Sequence, residues 1–151
     1  MKVTRIVGLI ACALIAACSS NPIQRDQERL ARFEAAAGEP VASFRFFNFH
    51  SWTPLGREHL AVWTRPNEAW LLAVRPTCQD LDFATRIALT SSLSRVYARF
   101  DSVVVGPIPC RISSIRPIDV AALRELQKEA RDRRSDIRAE QRREGDKASA
   151  D

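Results

Sequence analysis

Few side chains in this chain of 151 residues could do chemistry. The reactive set is four cysteines (Cys12, Cys18, Cys78 and Cys110), two histidines (His50 and His59) and scattered carboxylates, among them Asp80, Asp82 and Asp101. His50-Ser51 could be half of a base and nucleophile pair, with one of those aspartates orienting the imidazole. Adjacent residues on a strand point to opposite faces, so that pair needs a turn at Ser51. Without one, His50 is a strand-end residue that bonds locally. No H-x-H, H-E-x-x-H, G-x-S-x-G or phosphate-loop pattern occurs. Asp80 and Asp82 share a face if their stretch is extended, and with added carbonyls they could hold a hard cation. Two carboxylates serve equally well to cap turns. A closed zinc site needs four ligands at short spacings, and neither Cys78 nor Cys110 has a neighbouring partner. The expectation is no metal and no cofactor.

The first element to position these groups is the leader. Lys2 and Arg5 precede an apolar or small run from Ile6 to Ala17, which is a signal-peptide layout. A spanning helix needs about 20 apolar residues, and Ser19-Ser20-Asn21-Pro22 arrives too early for that. Residues 1–17 are therefore expected to be cut away. One alternative is an ordinary secretory signal cleaved near Ala17, with Cys18 incidental. The ending Ile15-Ala16-Ala17-Cys18, however, resembles the lipobox of bacterial lipoproteins. That resemblance implies that Cys18 becomes the lipidated first residue of the mature chain, anchored in a membrane. Ser19, not aspartate, follows the cysteine, which in Gram-negative lipoproteins implies the outer membrane.

Removing Lys2 and Arg5 takes the formal charge from +5 to +3. The remaining cations are spread and matched by acids, whereas a nucleic-acid binder clusters them among exposed aromatics. No nucleic-acid partner is expected. The cysteines reduce in the same way, because Cys12 leaves with the leader and Cys18 is the lipidation site. Cys78 and Cys110 remain, and in an oxidising periplasm two remaining cysteines pair. Closing a loop of that size contributes about 3 to 4 kcal/mol in the chain-entropy model.

Residues 18–40 read as a lipid-anchored tether. Asn21, Pro22 and Gln24 offer a helix start, and Ile23, Leu30, Phe33 and Ala37 recur near helical spacing until Gly38. Either a short amphipathic helix or a disordered spacer fits. From Val41 the period changes to two, with β-branched and aromatic residues between turn signals. Phe44 and Phe46 share a parity that Phe47 and Phe49 break, which calls for a bulge or two-sided burial. His59–Thr64 and Ala69–Val74 form a hairpin around Arg65-Pro66-Asn67-Glu68, with Trp63, Trp70, Leu72 and Val74 core-facing if both faces are covered. Ser91–Ser94 is a turn, Gly106–Pro109 a loop delivering Cys110, and Arg111–Ile115 a last short strand. Residues 41–119 are thus expected to be a disulfide-closed, mainly β domain, a small antiparallel sandwich or barrel of about six strands.

Several of these segments carry a family resemblance across Phe44 to Asp119. They are Ser51-Trp52-Thr53-Pro54-Leu55-Gly56, Leu60–Thr64, Trp70-Leu71-Leu72, Cys78-Gln79-Asp80-Leu81, Phe100-Asp101-Ser102-Val103, Cys110-Arg111-Ile112 and Ile115–Asp119. Together they resemble a family of small proteobacterial envelope proteins classed as a domain of unknown function. The resemblance supports the Cys78–Cys110 pair and the domain limits, and it implies no activity.

Residues 120–151 lie outside that resemblance and read as a charged helix with a disordered tail. Asp119 is the N-cap, and Leu123 and Leu126 face the domain. From Arg124 to Lys147 there are nine cations and seven acids, with no apolar seam for a coiled coil. The tail is either a contact arm for cell wall, anionic headgroups or an envelope protein, or a solvated helix that frays. The whole reads as an outer-membrane lipoprotein facing the periplasm, a binding or structural module rather than an enzyme. The alternative is a small periplasmic hydrolase using His50 or His59 with a nearby carboxylate.

Overall fold

The fold is described from a computed structural model covering residues 22–76, 78 and 80–149. The leader, Cys18 and the proposed helix start at Asn21 lie outside the described residues. Helix α1 spans Pro22–Ala35, and eight strands follow: β1 Ser43–Arg45, β2 Ser51–Pro54, β3 His59–Arg65, β4 Glu68–Val74, β5 Ile87–Leu89, β6 Arg95–Tyr97, β7 Ser102–Val105 and β8 Ile108–Ile118. A 3₁₀ turn at Leu81–Phe83 precedes β5, and helix α2 runs from Val120 to Ala148. Six strands form one antiparallel half-barrel in the order β2-β3-β4-β8-β7-β5, while β1 and β6 form a separate ribbon. With about 36% helix and 35% strand among the described residues the fold is mixed α/β, which corrects the mainly β expectation.

The expected β3–β4 hairpin forms with Arg65 opposite Glu68 and a register shift after Trp63. The Gly106–Pro109 segment differs from the expected loop. Val105 pairs with Ile108, so Gly106-Pro107 alone makes the turn, with Gly106 at φ 56°. Pro109 pairs with Val104 inside the strand. In a two-residue hairpin that second pair is the non-hydrogen-bonded one, so the missing proline N–H removes no ladder bond. β8 is therefore eleven residues long and joins two partners: residues 108–111 pair with β7, and residues 112–118 pair with β4.

Burial on both faces of the sheet splits Trp63 from Trp70, whereas the mixed parity of Phe44, Phe46, Phe47 and Phe49 arises because β1 ends at Arg45 and the chain beyond it is not a strand. One face of the sheet presents Leu60, Val62, Leu72, Val74, Ile112 and Ile115 to a cluster closed by Phe44 and Val96 of the ribbon. Phe44 stacks on Trp70 with ring centroids 4.9 Å apart, and Phe46 and Phe49 pack at the edge while Phe47 stays exposed. The other face presents Ala61, Ala69, Leu71 and Ile118 to Phe33 and Ala36 of the α1 segment and to Val120 and Leu123 of α2. Trp63 belongs to this second cluster and meets Phe33 edge-on at 5.9 Å, so it does not share a face with Trp70.

The α1 segment is thus part of the fold and not a spacer. Arg116 donates from Nε to the Gly38 carbonyl (2.7 Å) and from Nη2 to the Ala37 carbonyl (2.9 Å), tying the segment just after the helix to β8. Gly38 passes close to Pro117: a Cβ there would lie 3.3 Å from that ring, so one of the two would have to shift by a few tenths of an ångström. At the other junction Asp119 Oδ1 accepts from the N–H groups of Ala121 and Ala122 and starts α2 as expected. The two helices run antiparallel: the Asp119 N–H donates to the Ala36 carbonyl, and Arg134 faces Glu28 at 3.8 Å. α2 continues as helix to Ala148, where a disordered tail was expected.

Candidate functional site

The histidines are not brought together. The His50 N–H donates to the Trp63 carbonyl (2.8 Å), and the His59 carbonyl accepts from Leu55 (2.8 Å). They stand at opposite ends of the β2–β3 hairpin: Ser51 pairs with Trp63, which puts His50 level with Thr64, five residues of β3 or about 17 Å from His59. Among the described residues, neither imidazole hydrogen-bonds a carboxylate, so the base and orienter arrangement of a hydrolase is not assembled.

The aspartates have structural work instead. Asp82 lies in the 3₁₀ turn, so it does not share an extended face with Asp80. Burial and the neighbouring Asp26 hold its carboxyl above the ordinary range, while Arg57, 3.9 Å away, pulls the other way. No group of three metal-ligating side chains occurs among the described residues. Asp101 is buried and has both oxygens engaged: Oδ2 accepts from the Tyr97 N–H (2.7 Å) and Oδ1 from the Thr90 hydroxyl (2.8 Å). Thr90 Oγ1 in turn accepts from the Ser102 N–H (2.8 Å). A carboxylate so satisfied is a brace and not a proton acceptor for a substrate.

That brace holds the turn between β6 and β7, where Arg99 sits at φ 70° and Phe100 is 80% exposed. Arg111 clamps the same turn by donating from Nη1 to the Arg99 carbonyl (2.9 Å). A non-glycine residue at positive φ persists only where its surroundings over-determine it. The turn therefore holds the backbone that carries Phe100, and beside it opens a concavity. This groove, ≈ 540 Å³, is lined by Pro40, Val41, Ala42, Tyr97, Ala98, Arg99, Phe100, Ser113 and Ser114. Its walls are largely apolar. Neither serine of its lining stands beside a base, and Ser113 donates to the Ala73 carbonyl (3.0 Å). The groove can hold an apolar group or a segment of chain.

Sequence reading identified none of these lining residues as a site. The one signal was Phe100-Asp101-Ser102, where a carboxylate between an exposed aromatic and a β-branched strand has to bond something nearby. The disulfide is where it was expected: Cys78 and Cys110 are bonded, buried, and separated by 5.4 Å between Cα atoms. It ties the segment after β4 to the first half of β8. No described helix is long and apolar enough to cross a membrane.

A family of unknown function (DUF6491) matches residues 1–134, and the chain belongs to that family. The match extends well beyond Phe44–Asp119, taking in α1 and ending at Arg134, the α2 residue that faces Glu28. No curated protein and no solved structure matches the chain.

Proposed function

We propose that this member of the family is an outer-membrane lipoprotein, held by lipid on Cys18, whose domain faces the periplasm as a binding or structural module. The observation that carries this reading is the Cys78–Cys110 bridge, which lies inside the larger core cluster. A bond of that kind persists in oxidising compartments and is rare where thiols are kept reduced. Export in turn calls for a leader, and the lipobox-like ending at Cys18 supplies both leader and anchor. More than one acyl chain on that cysteine gives stable membrane attachment. Within the module, the groove beside Phe100 is the surface with a defined shape, and an apolar group is the chemistry it fits. The hydrolase alternative gains no support, since among the described residues neither histidine hydrogen-bonds a carboxylate or lines the groove. Metabolic labelling with an acyl-chain analogue tests the anchor. The wild-type chain should be labelled and pellet with membranes, and Cys18→Ser should be unlabelled. Equal labelling of the two chains would overturn the proposal.

A further inference from the structure

The charges of α2 are sorted around the helix. At about 100° per residue, Arg124, Lys128, Arg131, Arg138 and Arg142 fall on one side. Glu125, Glu129, Asp132, Asp136 and Glu140 fall on a second side, about 120° away. Leu123, Leu126, Ala130 and Ile137 occupy the third, of which Leu123 and Leu126 pack on the domain. Asp146 interrupts the basic side near its end, Arg143 and Lys147 lie among the acids, and Arg133, Arg134 and Glu144 fall on or beside the apolar side. From residue 131 onward every described side chain of the helix is exposed. Arg124 is already engaged, donating to the Pro66 carbonyl and to Asn67. The open part of the basic side is therefore Lys128, Arg131, Arg138 and Arg142, of which the three arginines lie on the wholly exposed stretch.

Position along the helix points to the occupant. Because α1 and α2 are antiparallel with Glu28 level with Arg134, the start of α1 lies beside the distal half of α2. From Arg134 to Ala148 the helix rises about 21 Å, and from Glu28 back to Pro22 about 9 Å, so α2 overshoots α1 by about 12 Å counted from that side-chain pair and by about 22 Å counted from Asp119 against Ala36. Cys18 precedes Pro22 by four residues and can reach at most about 14 Å from it. The start of α1, which leads back to Cys18, and distal α2 thus lie toward the same end of the molecule. α1 cannot lengthen that reach without pulling Phe33 and Ala36 from the core.

We infer that the Arg131–Arg138–Arg142 side of α2 lies on the anionic headgroups of the membrane that holds Cys18. This rests on the anchor proposed above. Each arginine near an anionic surface strengthens attachment roughly fivefold. The acidic side stands about 8 Å farther from the surface, close to one Debye length at physiological salt, so its repulsion is screened more than the attraction. The helix is then a footing at the membrane and not an arm reaching away from it.

The test supplies the anchor chemically. A chain beginning at Cys18 keeps every described element, and its one thiol outside the disulfide can be coupled to maleimide lipid in vesicles. Amide hydrogen exchange of residues 135–148 is then compared on pure phosphatidylcholine and on phosphatidylcholine containing phosphatidylglycerol. Exchange should slow about tenfold on the anionic vesicles, and the slowing should vanish at about 1 M salt, where the Debye length is about 3 Å. Arg131→Gln/Arg138→Gln/Arg142→Gln should abolish it, and Asp132→Asn/Asp136→Asn/Glu140→Gln should not. Equal exchange on both vesicles would overturn the inference, as would equal loss in both triple variants. Concentration-dependent slowing in the uncoupled chain without vesicles would also overturn it, assigning the stripe to a second copy. The acyl-labelling experiment judges the anchor itself, so the two failures are distinguishable.

Discussion

The two faces of the half-barrel are buried by different means. On one, the β1–β6 ribbon and the disulfide close over Leu60, Val62, Leu72 and Ile115, all fully buried, with Phe44 stacked on Trp70. On the other, two helices cover the small Ala61 and Ala69 and the larger Leu71 and Trp63, and much of the α1–α2 seam is charged. Crowding is visible there at Arg32, whose pKa is lowered by burial and by the cations Arg134, Arg29 and Arg133, with Glu28 opposing. The ribbon face is locked by covalent and close-packed contacts. The helix face is held by a short apolar stripe that two helices can relax around. A sheet covered in these two ways should lose stability unequally when either side is cut.

The largest loss is expected on the ribbon side. Cys78→Ser removes a bridge spanning 32 residues of sequence, worth about 4 kcal/mol in the chain-entropy model, and leaves one trappable thiol at Cys110. Chemical denaturation with thiol trapping checks both, and a loss under about 1 kcal/mol would mean that packing alone closes this face. Leu72→Ala comes next, at about 3 to 4 kcal/mol, because its neighbours on both strands are fully buried and cannot collapse into the cavity. Phe33→Ala on the helix side should cost less, about 2 to 3 kcal/mol, since α1 can settle toward Trp63. Urea melts of the two variants side by side decide the comparison. Equal losses would show that the helix face is packed as rigidly as the other.

The smallest effect is expected from the distal helix. A chain ending at Ala130 loses only exposed side chains and the half-exposed Arg134–Glu28 pair. It should melt within a few degrees of the full chain with its disulfide intact, since such changes cost under about 0.5 kcal/mol. A large loss would place the distal half of α2 in the core.

How much of this could be read from residues alone divides along the same line. The β3–β4 hairpin, the Asp119 cap, Leu123 and Leu126 facing the domain and the Cys78–Cys110 pair were legible, because each depends on neighbours in sequence or on elimination among few groups. The membership of α1 in the fold was not, because Phe33 and Ala36 find their partners in β3, β4 and α2, far along the chain. Pro107 and Pro109 read as a loop because the strand interior forbids proline only where its N–H is needed. That condition depends on which pair closes the hairpin. The groove was illegible for a related reason. Pro40–Ala42, Tyr97–Phe100 and Ser113–Ser114 meet only after three distant segments pack, and none of them carries a group that chemistry would single out.

The central claim is that a lipid-anchored, disulfide-closed chain stands at the membrane, and one intact-mass measurement on protein extracted from membranes tests it. The account predicts a chain that has lost residues 1–17, carries acyl mass on Cys18, and lacks the two hydrogen atoms removed in forming the Cys78–Cys110 bond. A mass matching an unmodified chain cleaved near residue 18 with both thiols present would contradict anchor and bridge together.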